Sequence, residues 1–252
     1  MIGLQKANFG KRIVAAIFDG IFVSIIAIGL ITLLTIAFKT DNYFNEVNDA
    51  YSKYGTQYGI DFQISAQEYA ELTEEKKADW DTAYAALLAD EEAIYAYNMW
   101  VNLTLISTSV GVLVAVLIVE FGAALVFGNG QTLGKKIFGI ALMTKDGVRV
   151  NNVQVFARAL LGKFAIELMI PIYIVMMLFL NSIGVISVVI LAILLIAEIV
   201  CLISSRGNSL LHDAFIGTVA VDMASQKIFD SRESLLEYTK KLHAEKANKN
   251  IY

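Results

Sequence analysis

The stretch Ala15–Gly29, AAIFDGIFVSIIAIG, is apolar enough to cross a membrane and carries one aspartate, Asp19, near its start. A charged side chain at the bilayer centre costs roughly 2.5–3.5 kcal/mol even on lenient insertion scales. We therefore expect Asp19 to be buried between helices, within reach of a basic side chain or of another acid. The sequence raises the question of which groups surround this carboxylate.

Composition indicates the class of protein. Of the 252 residues, 57% are hydrophobic and 17% are charged, and the mean hydropathy is +0.60. Soluble domains carry about 25% charged residues, so the chain is predicted to be an integral membrane protein. The net charge of −4 argues against a nucleic-acid partner. The single cysteine and two histidines lie in no metal or haem motif, so no cofactor or metal site is predicted.

Hydrophobic runs predict an all-α fold, a four-helix transmembrane bundle. Residues 1–38 contain the N-terminus and the first helix, and residues 99–127 form the second. The apolar block 164–203 is too long for one crossing at about 1.5 Å per residue, so it is interpreted as the third and fourth helices, joined by a tight turn at Asn181–Gly184. Residues 204–252 form a tail with a predicted amphipathic helix.

Two further segments connect the predicted spans. Residues 39–98 are an acidic insert with thirteen acids and four lysines, and the Ser65–Glu68 capping box predicts that it is helical. Residues 128–163 are predicted to form a loop with a β-hairpin over Lys136–Val150 and an amphipathic helix, and Gly217–Asp222 is a candidate third strand.

Charge asymmetry predicts the orientation in the membrane. The N-terminus and residues 128–163 are rich in lysine and arginine, and the insert is acidic. Basic loops mark the cytoplasmic side. We therefore expect a multi-pass protein of the cell membrane with both termini cytoplasmic and an extracellular insert.

Four motifs together resemble one family. They are KRIVAAIFD at Lys11–Asp19, GQTLGKKIFGI at Gly130–Ile140, RALLGKF at Arg158–Phe164 and SLLHDAFIGTVAVD at Ser209–Asp222. The chain resembles the RDD family of small multi-pass bacterial membrane proteins, which is named for one arginine and two aspartates. The resemblance places these residues at Arg12, Asp19 and Asp213, and it implies a transport role similar to sodium/proton antiport. It does not cover the acidic insert.

Four acids lie inside the predicted spans, and no lysine or arginine lies well inside any span. The acids are Asp19, Glu120, Glu167 and Glu198. Alternating topology predicts that all four lie in the cytoplasmic half of the membrane. Two interpretations stay open: the acids pair with Arg158, Lys163 or Arg206 as structural salt bridges, or they form a monovalent-cation or proton site. For transport, Glu120 is the first candidate because a hydroxyl-rich stretch precedes it.

A third class of function is a non-enzymatic membrane scaffold or sensor. Catalysis is not expected, because no serine, histidine and acid constellation is present. The sequence Gly128–Ile140 departs from the phosphate-loop template at Asn129 and Lys136, which excludes nucleotide binding. The predicted partners are the lipid bilayer, a monovalent cation or proton and, because four spans are few for a monomeric transporter, a second copy in a homo-oligomer.

Overall fold

A computed structural model describes residues 4–180, 184–204 and 209–249, with the side chains of Ala66 and residues 247–249 left out. Four helices in this part of the chain are long and apolar enough to cross a membrane: Phe9–Ala37, Glu91–Phe127, Asn152–Phe179 and Val185–Ser204. The predicted all-α membrane class is therefore confirmed. Most of the predicted turn at Asn181–Gly184 lies outside the described residues.

The elements include two π-helical segments within membrane helices. In chain order they are α1 (Phe9–Ala37), α2 (Thr40–Tyr58), α3 (Ala66–Ala70), α4 (Glu74–Ala89), α5 (Glu91–Val116), π1 (Leu117–Gly122), α6 (Ala123–Phe127), α7 (Leu133–Ile137), β1 (Ile140–Thr144), α8 (Asn152–Ala157), π2 (Arg158–Met169), α9 (Ile170–Phe179), α10 (Val185–Ser204), α11 (Leu211–Ile216), β2 (Thr218–Asp222) and α12 (Arg232–Lys249).

The chain divides into two compact units, residues 1–27 with 112–252 and residues 28–111. The second unit contains the helical insert. Its Ser65–Glu68 capping box is present as predicted. Trp80 lies at the centre of an aromatic group, 5.8 Å from the ring of Phe62 and 5.1 Å from that of Tyr84, measured between centroids.

Two predicted helix boundaries are wrong. The second membrane helix begins at Glu91, inside the predicted insert, where Asp90 accepts hydrogen bonds from the first-turn amides of Glu92 and Ala93. The third runs without a break over Asn152–Phe179, so no separate amphipathic helix precedes residue 164. Arg158 and Lys163 therefore lie within a membrane helix. Sequence rules treat two such charges as a boundary, whereas here both contact buried carboxylates.

The β-structure differs from the predicted hairpin. The chain does turn at Asp146–Gly147, but Arg149 forms only an isolated bridge with Met143. The main partner of β1 is β2, which pairs with it antiparallel from Ile140↔Asp222 to Thr144↔Thr218. The candidate third strand is thus the second strand of the sheet. Strand residues on both faces are buried, and the apolar pairing with β2 outweighs the local pairing across the turn.

The two faces of this sheet pack into separate apolar clusters. Ile140, Leu142 and Ala220 face one cluster, and Met143 and Val221 face the other. The sheet joins the loop after the second membrane helix to the segment after the fourth. It therefore places α7 and α11, which flank its strands in sequence, in the same unit of the fold.

We predict that Leu142→Ala destabilises this unit by roughly 2–5 kcal/mol, because the side chain is fully buried and its removal leaves a cavity. Leu236→Ala is the matched control, since Leu236 is 59% exposed. The measurement is the thermal unfolding of each purified variant in detergent. Equal melting temperatures for the two variants would contradict the buried sheet.

Candidate functional site

A continuous cluster of charged side chains links the ends of several helices. We call it the charged cluster, and its members are Arg12, Asp19, Glu120, Lys135, Arg158, Lys163, Glu167, Glu198, His212 and Asp213. All four acids predicted to lie in the spans belong to it, as do the arginine and the second aspartate of the family resemblance.

Glu120 on π1 is the centre of the cluster. Its Oε2 lies 3.1 Å from Lys135 Nζ and 3.0 Å from Arg158 Nη1, and its Oε1 lies 3.1 Å from Lys163 Nζ. Only 2% of Glu120 is exposed. One buried carboxylate thus holds three cations that come from two different parts of the chain. Removing one partner from such a group leaves uncompensated buried charge.

Arg158 connects Glu120 to the second family aspartate. Its Nε donates to Asp213 Oδ1 at 2.8 Å, and Thr218 Oγ1 donates to the same oxygen at 2.9 Å. Arg12 Nη2 lies 4.0 Å from the other oxygen of Asp213. Burial raises the pKa of Asp213, but the Arg158 charge together with the hydrogen bonds from Arg158 and Thr218 and the neighbouring His212 outweighs it, and the pKa of Asp213 lies well below its ordinary value. Asp213 therefore lies close to the start of the first membrane helix.

Asp19 caps the short helix α7 from another helix. Its Oδ2 accepts from Thr132 Oγ1 at 2.5 Å, and its Oδ1 accepts from the amide of Gly134 at 2.8 Å. Thr132 Oγ1 in turn accepts from the amide of Lys135, so two side chains satisfy the free amides at the start of α7. Lys135 Nζ lies 3.9 Å from Asp19 Oδ2. The expected burial of Asp19 beside a basic side chain is confirmed.

Glycine is required at position 134 by this close approach. A Cβ there would lie 2.9 Å from Asp19 Oδ1 and would collide with the carbonyl oxygen of Ala15. The GQTLGKK motif is therefore a docking segment for the first membrane helix.

The neighbouring Lys135 is also affected by its surroundings. Burial lowers the pKa of Lys135, and the Glu120 charge raises it.

The π-helical geometry of π2 brings its charges onto one face. A π-helix closes hydrogen bonds from i to i+5 and has roughly 4.4 residues per turn, so nine residues make about two turns. Arg158 and Glu167 are nine residues apart, and Lys163 lies between them. In an α-helix nine residues make about two and a half turns, and the two ends would lie on opposite faces. The π segment thus allows one helix to contribute all three groups.

Glu167 and Glu198 form a carboxyl pair at the other end of the cluster. The amide of Leu211 donates to Glu198 Oε2 at 3.0 Å, and the next amide, of His212, donates to Glu167 Oε1 at 3.2 Å. Adjacent amides therefore hold the two carboxyl groups side by side. Two carboxyl groups that share a site cannot both ionise easily, so this placement favours one shared proton.

A small cavity of about 50 Å³ lies within the cluster, enough for a few water molecules. Its charged lining comprises Arg12, Asp19, Lys135, Arg158, Lys163 and Asp213. Most of these side chains are basic, so the cavity does not suit a cation. Within residues 4–180, 184–204 and 209–249, no group of three or more His, Cys, Asp or Glu side chains is arranged to hold a metal ion.

A family model described as the RDD family matches residues 6–217. The chain belongs to the RDD family. No curated protein and no solved structure matches it. The residues that the resemblance assigned to the RDD name, Arg12, Asp19 and Asp213, all lie in the charged cluster. Arg12 and Asp213 approach each other, and Asp19 lies beyond Lys135 in the network.

Some contacts of the charged cluster were not predicted from the sequence of this RDD-family protein. Arg158 and Lys163 were expected partners of the acids, whereas Arg206 lies outside the described residues. The contacts of Lys135 and Thr132 with the acids were not predicted, although both residues lie in the GQTLGKKIFGI motif. The hydroxyl groups of Thr104 and Ser109, before Glu120, donate to carbonyls one turn earlier in their own helix.

We predict that Glu120→Gln destabilises this RDD protein by roughly 3–5 kcal/mol, because three buried cations lose their common counter-charge. Glu237→Gln is the control, since Glu237 is exposed and forms only a surface pair with Lys241. Both variants are compared by thermal unfolding in detergent. The central role of Glu120 is refuted by a Glu120→Gln variant that unfolds at the control's temperature.

Proposed function

We propose that this RDD-family protein exchanges a proton for a monovalent cation across the membrane, at the Glu167–Glu198 carboxyl pair. The observation that carries the proposal is that two adjacent amides hold these two carboxyl groups side by side, where one shared, exchangeable proton relieves their repulsion. The side chain of Glu167 is 18% exposed, compared with 2% for Glu120, which gives the pair a route for exchange. No catalysis is involved.

Charge balance supports a one-for-one exchange. The cluster contains five carboxyl groups and four permanently basic side chains. With one proton on the Glu167–Glu198 pair and a neutral His212, the positive and negative charges cancel. Loss of the proton leaves one negative charge in a low-dielectric site, and binding of one monovalent cation restores neutrality. The proposed exchange is therefore electroneutral.

The same balance argues against Glu120 as the exchange site. The sequence favours Glu120, but the structure surrounds it with three cations. A metal cation would have to displace a lysine or arginine to bind there. Among the described residues, no lysine or arginine forms a salt bridge with Glu167 or Glu198, so we assign the exchange to them and a structural role to Asp19 and Glu120.

A membrane scaffold without transport is the second candidate. It is favoured by one observation: Asp19, Glu120 and Asp213 each contact a basic side chain, as in a cluster that only locks helices together. In that case the proton on the carboxyl pair is a structural one. Flux through the purified protein separates the two candidates.

We also propose a topology in the cell membrane with both termini cytoplasmic and the insert extracellular, because basic segments stay inside. A homo-oligomer is part of the proposal, since four spans enclose little space for a monomeric carrier. The membrane helices α1 and α10 bury little of their surface within one chain, which leaves area for lipid and for a second copy.

In sealed proteoliposomes, we predict that an imposed sodium gradient drives proton movement, read with an internal pH dye. Collapse of the membrane potential should leave the rate unchanged. Glu198→Gln and Glu167→Gln should lower the rate about tenfold or more, because neither variant retains an exchangeable carboxyl pair. Glu237→Gln is the control and should keep the full rate. Flux no greater than in protein-free vesicles would reject exchange and favour the scaffold.

The topology predicts the pattern of cysteine labelling in intact cells. In a Cys201→Ser background, a membrane-impermeant reagent should label Thr56→Cys, which is exposed in the insert, and not Lys145→Cys, which is exposed after β1. Permeabilised cells are the control and should label both. Labelling of Lys145→Cys alone in intact cells would reverse the proposed orientation.

A further inference from the structure

The contacts of the His212 ring determine its tautomer. Its Nε2 lies 2.6 Å from Arg158 Nη2 and 3.5 Å from Asp213 Oδ2, so the contact with Arg158 is the closer one. A guanidinium group only donates, so Nε2 accepts and carries no proton. The ring proton therefore lies on Nδ1, which donates to Glu167. Burial, followed by the Arg158 charge, lowers the pKa of His212, and the ring stays neutral.

This tautomer makes the carboxyl pair asymmetric. Glu167 Oε1 accepts from both the amide and the ring Nδ1 of His212, whereas Glu198 accepts from the amide of Leu211. Hydrogen bonds donated to a carboxyl group stabilise its charged form. Glu167 is therefore the carboxylate of the pair, and Glu198 holds the shared proton.

We propose that His212 is a positioning residue that directs the shared proton to Glu198 and sets the pH at which the pair releases it. The inference rests on the proposed function for its consequence in transport, because a proton so placed determines when exchange can occur. In this arrangement Arg158 determines the tautomer of the His212 ring, and the ring determines which carboxyl group carries the proton. His212 itself does not change charge.

The packing around His212 holds the ring in place. Gly162 on π2 lies directly against it, and a Cβ at that position would come within 2.8 Å of the His212 Cα. His212 is 2% exposed. Among the residues that the structure describes, the charged groups around the ring and the pair are Arg158, Lys163, Glu120, Asp213 and Arg12. All of them belong to the ion pairs described above, so the ring of His212 is the neutral donor between those pairs and Glu167.

The first test uses the unsubstituted protein. Nitrogen NMR of protein labelled with ¹⁵N-histidine reports the tautomer directly, and only His212 and His243 contribute signals. His243→Gln assigns them. We expect a neutral Nδ1–H tautomer for His212 across the pH range in which the carboxyl pair titrates. An Nε2–H tautomer or an imidazolium at His212 would overturn the inference.

The second test measures the proton on the pair. Infrared spectroscopy follows the C=O stretch of a protonated carboxyl group with pH, and Glu198→Gln assigns the band. His212→Phe removes the donor to Glu167, so the midpoint should move to higher pH by about one unit. His212→Asn keeps a donor near the Nδ1 position and should restore most of the shift. His243→Gln is the matched control and should leave the midpoint unchanged.

The outcomes separate this inference from the proposed function. If the titration midpoint of the carboxyl C=O band shifts in His212→Phe but no sodium-driven flux is seen, the positioning role is retained and the exchange is rejected. Flux with an unchanged midpoint in folded His212→Phe rejects the positioning role alone. If His212→Phe does not accumulate, the NMR tautomer and the His212→Asn midpoint decide, and a full shift in His212→Asn counts against the inference.

Discussion

The charged cluster depends on the Glu120 carboxylate. It contacts three cations, Lys135 from the loop after its own helix and both Arg158 and Lys163 from the next one. A buried ion pair contributes little net stability compared with apolar packing, but removal of one partner is costly. The main effect of Glu120 is therefore to specify which segments meet. Its net contribution to the free energy of unfolding is smaller. The remaining contacts of the cluster are built outward from Lys135 and Arg158.

The groups that surround the Asp19 carboxylate are mainly hydrogen-bond donors at the start of α7. Its strongest contacts are the hydroxyl of Thr132 and the amide of Gly134, with the ammonium group of Lys135 farther away. A helix of five residues cannot satisfy its own first amides. Asp19 does so from α1, and its charge favours the positive end of α7. The same contacts align Lys135 with Glu120, which couples the loop to the membrane helices.

Sequence patterns predicted the membrane helices and the burial of Asp19, because hydropathy and the cost of a charge in hydrocarbon are local properties. They did not predict the pairing of β1 with β2, which joins residues almost eighty positions apart. The two π segments could not be predicted from the sequence either, because no residue pattern marks a change in the number of residues per helical turn. Without π2, Arg158 and Glu167 lie on opposite faces, so the cluster could be only partly assembled from sequence.

The position of the proton follows from how the rest of the cluster is compensated. Glu120 has three cations, Asp213 contacts Arg158 and Arg12, and Asp19 has an ammonium group and two hydrogen-bond donors. Within the residues that the structure describes, the four basic side chains of the cluster contact Asp19, Glu120 and Asp213, and the donors of His212 serve Glu167. In this part of the chain, Glu198 is the carboxyl group that remains to hold the proton. In the proposed exchange, the fixed ion pairs hold the helices while this one carboxyl pair exchanges its ion.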